Sequence, residues 1–226
     1  MNNTKNKSAI SWGPTAYFAM GLPFVVLNMV TVLMFKGLEV DDKLITFWTS
    51  LILLPWTLKP LWSPFLELFR TKKFFVIVTQ LITGVTFGLV AFALNLSHFF
   101  SISIALLAIV AFSGATHDIA CDGVYMSELS NEDQAKFIGW QGAFYNIAKI
   151  LATGGLVYLA GYFIELNADA GLLTANKRAW MIILLILSVT MILLGIYHLF
   201  ALPSNQSASS KNTLRSNKEV MKELGQ

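Results

Sequence analysis

Six times along the chain a run of roughly twenty mostly apolar residues recurs, the length that carries a helix across the hydrocarbon of a bilayer. The runs are Trp12–Phe35, Leu44–Leu66, Phe74–Leu94, Phe99–Val124, Phe137–Ile164 and Ala179–Leu202. No water reaches backbone N–H and C=O groups at that depth, so each run must bond within itself, which predicts six transmembrane helices. The chain is 13% charged and 55% hydrophobic, whereas a soluble domain carries about 25% charged residues. Charge this sparse covers a water-facing surface poorly and identifies lipid as the solvent. The expected layout is an N-terminal segment 1–11, a six-helix bundle 12–202 and a polar tail 203–226.

Lys and Arg set the expected direction, because loops rich in them stay on the cytoplasmic side. Ten basic residues flank one set of helix ends: Lys5, Lys7, Arg70, Lys72, Lys73, Lys136, Lys211, Arg215, Lys218 and Lys222. Four flank the other: Lys36, Lys43, Lys177 and Arg178. Both termini are therefore expected in the cytoplasm, with the protein in the cell's inner membrane. The N-terminus has no short apolar core followed by a small-residue cleavage site and is not read as a removable signal. The single cysteine, Cys121, excludes an internal disulfide and a cysteine-built metal site. No cofactor or metal is expected, and the scattered lysines form no nucleic-acid-binding face.

Pro55, Pro60 and Pro64 each remove a backbone donor from the second run, so a bent or broken helix is expected there. Gly84 and Gly88 in the third run permit close helix approach. Gly139, Gly142, Ala143, Gly154 and Gly155 in the fifth suggest a tightly packed helix. Ser130 can cap a following helix whose first turn holds Glu132 and Asp133. Trp12, Trp48 and Trp180 read as members of an interfacial aromatic belt, and His198 as an interface residue near the end of the last run.

The stretch "GATHDIACDGVYMSEL" places His117, Asp118 and Asp122 where a membrane helix should be apolar. A charge at the bilayer centre costs about 2.5–3.5 kcal/mol on insertion scales, so such residues face the interior and serve ions, substrates or each other. At ~1.5 Å per residue, Lys59 lies ~10 Å from the edge of the second run and Asp118 ~9 Å from the same edge of the fourth. Their matched depth predicts an ion pair, with snorkelling of Lys59 toward the headgroups as the alternative. Asp122, one turn on and on the same face as Asp118, is a candidate for the same substrate or proton pathway or a residue at the wet mouth of the helix, and His117 is a candidate proton relay or a hydrogen-bonded interior residue. Lys149 lies ~18 Å into the fifth run, too deep to snorkel easily. Gln141, Tyr145 and Asn146 lie near it on the same helix and could bond a solute or a neighbouring helix.

Three stretches together, "GLP" at Gly21–Pro23, "LKPLWSPFLELF" at Leu58–Phe69 and "GATHDIACDGVYMSEL", resemble the muropeptide permease and acetyl-CoA transporter branch of the major facilitator superfamily. The family's Lys-x-Leu-Trp-x-Pro run maps to Lys59, Leu61, Trp62 and Pro64, and its Asp-Ile-x-x-Asp run to Asp118, Ile119 and Asp122. "ELFRTKKF" resembles the superfamily's gating loop through Glu67 and Arg70, although the loop's usual Asp is Glu here and its glycines are missing. His117 stands where the family would have Gln. The resemblance implies an all-α polytopic protein forming one half of a twelve-helix transporter. It further implies proton-coupled symport of a sugar- or muropeptide-like solute by alternating access. The partners implied are the bilayer, the solute, protons and a second six-span half. On this reading the chain is an N-terminal half, from a truncated gene product or a fragment, with a dimerising natural half-transporter as the alternative.

Two other classes compete. A rhomboid-type intramembrane serine protease also has six spans, and Ser113 with His198 would have to supply its dyad. "AFSG" lacks the glycine that precedes the serine in that motif, and His198 lies at the cytoplasmic end. A non-transporting assembly subunit is the third.

Overall fold

The computed structural model describes residues 9–69 and 71–203, all helices and short connections. The expected N-terminal segment through Ser8, Arg70, and the tail with Lys211, Arg215, Lys218 and Lys222 lie outside the described residues. Six helices are long and apolar enough to cross a membrane: α1 (Ala9–Gly37), α2 (Asp42–Leu61), α3 (Lys72–Ala93), α4 (Phe99–Glu128), α5 (Asn131–Leu166) and α6 (Leu172–Ala201). Each overlaps one of the apolar runs. An even number of antiparallel helices brings both ends of the described chain to one end of the bundle, here called the terminal end.

Polar side chains close the helix starts. Asp41 accepts from the Lys43 and Leu44 amides at 3.0 and 3.3 Å. Thr71 accepts from the Phe74 amide at 3.2 Å, and Ser130 accepts from the Asp133 amide at 3.1 Å, the cap expected from sequence. These bonds satisfy donors that the first turn of a helix cannot pair internally. Gly171, with φ +85°, makes the reversal into α6 in a backbone region that L side chains rarely adopt.

The proline-rich second helix is broken as expected. It runs as Asp42–Ile52, Leu54–Leu58 and a 3₁₀ turn Lys59–Leu61, followed by a short helix Ser63–Phe69. Two further irregularities have no proline. α1 and α5 each contain a π-helical stretch, Val26–Val30 and Leu151–Leu156, and the two stretches meet across the bundle.

α3 is the spine, packed along much of its length against both α4 and α6; α1 packs against α5 and α4. Gly84 allows the α3–α6 contact: a Cβ there would stand 2.7 Å from Ile192 Cγ1 and 2.9 Å from the Ser188 carbonyl oxygen. Gly21 does the same for α1 and α5, since a Cβ would meet the Tyr145 ring and carbonyl oxygen, both at 3.0 Å. The core forms two apolar clusters. One is centred on Phe35, Phe87, Leu107 and Leu187. The other, at the terminal end, holds Trp12, Tyr17, Val76, Cys121 and Leu202. Along α3, α4 and α6 the buried polar residues Gln80, His117 and His198 fall between the two.

Three expectations are corrected. The glycines of α5 do not pack: a Cβ at Gly139, Gly142 or Gly154 would meet nothing within 4 Å, and one at Gly155 only Leu151 of its own helix. They face outward, and α5, like α2, buries only 17% of its most apolar window, against 67% for α1. Trp12 and Trp180 are buried inside the bundle rather than lying in an outer belt; Trp48 is exposed. His198 is fully buried.

Replacing Gly84 by Val is expected to destabilise the bundle by about 1–3 kcal/mol, since backbone and side chain both stand in the way of the new methyls. Gly142→Ala in the same protein, where the new methyl meets nothing, is expected to keep or raise stability, by up to about 1 kcal/mol from helix propensity. Thermal scans in detergent, read by maleimide labelling of the buried Cys121, measure both.

Candidate functional site

The break in α2 puts Lys59 on a 3₁₀ turn whose side chain reaches α4. Its ammonium donates to Asp118 Oδ2 at 2.6 Å, the ion pair expected from matched depth. The same oxygen accepts from the Trp56 indole N–H at 2.9 Å. Trp56 lies one turn before Lys59 and so shares its face. Its ring rests on Gly114, where a Cβ would stand 2.9 Å from the indole carbons, and meets Phe24 edge-on with centroids 5.1 Å apart. The side chains of Lys59 and Asp118 are 27% and 12% exposed. The carboxylate is the more deeply held partner and depends on its two donors. Its other oxygen, Oδ1, is buried without a partner among the described residues.

Asp122 lies one turn along α4 and is exposed, as a mouth residue should be. Its Oδ1 accepts from the Tyr17 hydroxyl of α1 at 3.1 Å. Tyr17 also meets Tyr125 edge-on, with centroids 5.9 Å apart. Lys59, Asp118 and Asp122 thus form one polar strip joining α2, α4 and α1.

His117 points the other way, into the bundle. Its Nε2 accepts from the Gln80 amide at 3.0 Å. The Gln80 oxygen accepts from His198 Nδ1 at 2.8 Å, and His198 Nε2 lies 2.9 Å from the Thr15 hydroxyl. Thr15 also bonds the Trp12 carbonyl at 3.1 Å. Four helices meet in this string. Gln80 and His198 are 0% exposed and His117 3%. A lone Gln inside an apolar run was the signal available in the sequence. Its partners lie 37 and 118 positions away and are set by which helices adjoin.

The α5 candidates do not join this site. Lys149 is exposed, and its ammonium has no partner among the described residues. Asn146 is exposed and bonds the Gly142 carbonyl of its own helix at 2.7 Å. Tyr145 packs against Gly21, and Gln141 lines a shallow crevice with Trp12, Tyr17, Tyr125 and Trp140. Glu67 stands on the short helix Ser63–Phe69, and Arg70 lies outside the described residues. The serine–histidine dyad required of a protease is not formed. Ser113 donates to the Thr79 carbonyl at 2.8 Å, while His198 is engaged by Gln80 and Thr15.

Comparisons with family models, with curated proteins and with solved structures return no match.

Removing one partner of a buried ion pair strands the other charge, at a cost of 3–5 kcal/mol when burial is complete. Lys59 is partly exposed, so Lys59→Ala is expected to cost about 2 kcal/mol after that discount. Asp118→Ala should cost less, because the long Lys59 side chain can swing to water. The double variant Lys59→Ala/Asp118→Ala is expected to lose less than the sum of the two. A double-mutant cycle on Cys121 labelling measures the coupling, and strict additivity would refute the pairing.

Proposed function

We propose that the chain is one six-helix half of a secondary active transporter of the muropeptide permease and acetyl-CoA transporter type. It moves a sugar- or muropeptide-like solute together with protons by alternating access, with both termini in the cytoplasm. The observation that supports this most is the Lys59–Asp118 ion pair across α2 and α4. Alternating access needs bonds between helices that hold one state and release in the other. A carboxylate–ammonium bond is suited to the task, because a proton on Asp118 removes the charge that holds Lys59. Coupling then follows from chemistry: proton arrival and bond release are the same event.

In this reading Lys59 and Asp118 are the gate and the proton-binding group. Tyr17 and Asp122 form the mouth on the side of the termini. Glu67 and Arg70 belong to the gating loop, and Trp56 is the residue that holds Asp118 in place. Lys149 and Asn146 stand on the face that a second six-helix unit completes, since solute sites in such transporters lie between the two halves, while Tyr145 and Gln141 lie on the side of α5 turned toward α1 and line the inner edge of the pathway. A polar string of the His117–Gln80–His198 kind suits a rigid interior, leaving movement to the less buried α2 and α5.

Uptake into vesicles carrying the chain with its second half is the test, using a labelled disaccharide–peptide of the muropeptide class. An imposed inward proton gradient is expected to drive accumulation, and an uncoupler to abolish it. Asp118→Asn, which keeps the shape and loses the titration, is expected to abolish accumulation as well. Accumulation that survives the uncoupler would remove proton coupling.

A further inference from the structure

The string Thr15–His198–Gln80–His117 contains one group that is not symmetric. An amide presents an acceptor at one end and donors at the other. With the Gln80 oxygen toward His198, as here, His198 donates from Nδ1 and His117 accepts at Nε2. A neutral His117 then carries its proton on Nδ1, an atom buried without a partner among the described residues. At the far end, Thr15 lies within hydrogen-bonding reach of both His198 Nε2 and the Trp12 carbonyl. Its hydroxyl donates to a neutral His198. Alternatively it accepts from a protonated His198 and donates its own hydrogen bond to the Trp12 carbonyl. No heavy atom has to move between these two states.

Turning the Gln80 amide end for end reverses the logic. Its oxygen then accepts from His117 Nε2, so His117 is the ring that can hold an extra proton. Its amide donates to His198 Nδ1, so His198 must be neutral and donate to Thr15 from Nε2. Each orientation admits one charged imidazole. Neither admits two, because two N–H donors would then face a group with a single acceptor end. An amide N–H pressed against an imidazolium N–H in a dry interior leaves two donors unpaired, at a cost no other bond offsets.

We propose that His117, Gln80 and His198 form a buried binding site for a single proton, in which the orientation of the Gln80 amide selects the ring that carries it. The ionisable groups around the string are Tyr17 of α1, Lys59 of α2, Lys73 of α3, Asp118, Cys121 and Asp122 of α4, Tyr145 of α5 and Tyr197 of α6. Several are turned to other partners: Lys59 to Asp118, Lys73 to the Leu202 carbonyl at 2.8 Å, Tyr17 to Asp122, and Tyr197 to the Ser11 carbonyl. The site adjoins the ion pair through the chain itself, since His117 precedes Asp118. A proton on His117 therefore places a positive charge beside the carboxylate that Lys59 holds. The proton site stands whether or not the chain transports a solute.

Nitrogen NMR of the full chain in lipid nanodiscs, with labelled histidine, counts protons ring by ring. The chain has three histidines, and the exposed His98 serves as an internal reference. Between pH 8 and pH 4 the wild-type string is expected to take up one proton, leaving one ring neutral throughout. In Gln80→Glu, whose side chain accepts at both ends, both rings are expected to become donors and the uptake to rise from one proton to two. Two imidazolium rings in the folded wild type would overturn the proposal, as would none by pH 4 or a count unchanged in a folded Gln80→Glu. Should Gln80→Glu fail to fold, the wild-type count decides alone. Loss of uptake activity with the one-proton count intact would speak against the transporter reading only.

Discussion

A charge with no water around it must find an opposite charge, and in this bundle that requirement ties the least regular helix to one of the most regular. Lys59 sits on a helix broken into three segments and Asp118 on an unbroken helix of thirty residues. The 2.6 Å bond between them fixes the depth and rotation of the whole terminal part of α2, which buries little else. Without it the segment Leu54–Leu61 would keep few contacts of its own. Trp56, held on Gly114 and bonded to the same carboxylate oxygen, is the second strut.

The break in α2 is what makes the bond possible. A continuous helix keeps side chains close to its own axis, and the 3₁₀ turn at Lys59–Leu61 redirects the chain just where the lysine must reach across. Pro55 and Pro60 remove amide donors and free the local backbone from the i→i−4 ladder. The π-helical stretches of α1 and α5 are irregularities of another kind, each inserting an extra residue into a turn near the contact between those helices. Irregular backbone in a membrane helix is tolerated where neighbours pack around it. Val26, Leu27 and Val30 are buried. Most of Leu151–Leu156 is not, with only Ala152 fully covered.

The parts of this structure that were legible in the sequence are those governed by distance along one helix. Six spans follow from length and hydropathy, the α2 break from three prolines, the α5 cap from Ser130, and the Lys59–Asp118 pair from two depths counted from helix ends. What was hidden depends on rotation and adjacency. Nothing in the spacing of His117, Gln80 and His198 reveals that α3 separates α4 from α6 and so brings the three together. The outward turn of the α5 glycines is hidden for the same reason: small residues mark a close-packing surface without saying whether this chain supplies the other side. Trp12 and Trp180 sit near helix ends, as belt residues do, but their helices are turned so that the rings point inward.

The glycines of α5 bear on what that helix faces. The outward sides of α3 and α6 bear large apolar side chains, among them Val85, Leu89 and Phe92, and Val189, Leu193 and Phe200, as suits contact with acyl chains. The outward side of α5 also bears apolar side chains, Ile138, Ile147, Ile150 and Tyr158 among them, but it interleaves them with Gly139, Gly142, Asn146, Lys149 and Gly154, with no neighbour within 4 Å of a Cβ at those glycines. Lipid gains little from glycine and penalises an unpaired ammonium at this depth by about 2.5–3.5 kcal/mol. Another helix gains from both features. Glycine lets its backbone approach closely, and a carboxylate or a bound anionic group can meet Lys149. A face that is costly to lipid and favourable to protein or a polar solute is the one a second six-helix unit would cover. In the proposed transporter the α5 surface would form part of the substrate pathway, and the space left beside its glycines would be filled by the second unit.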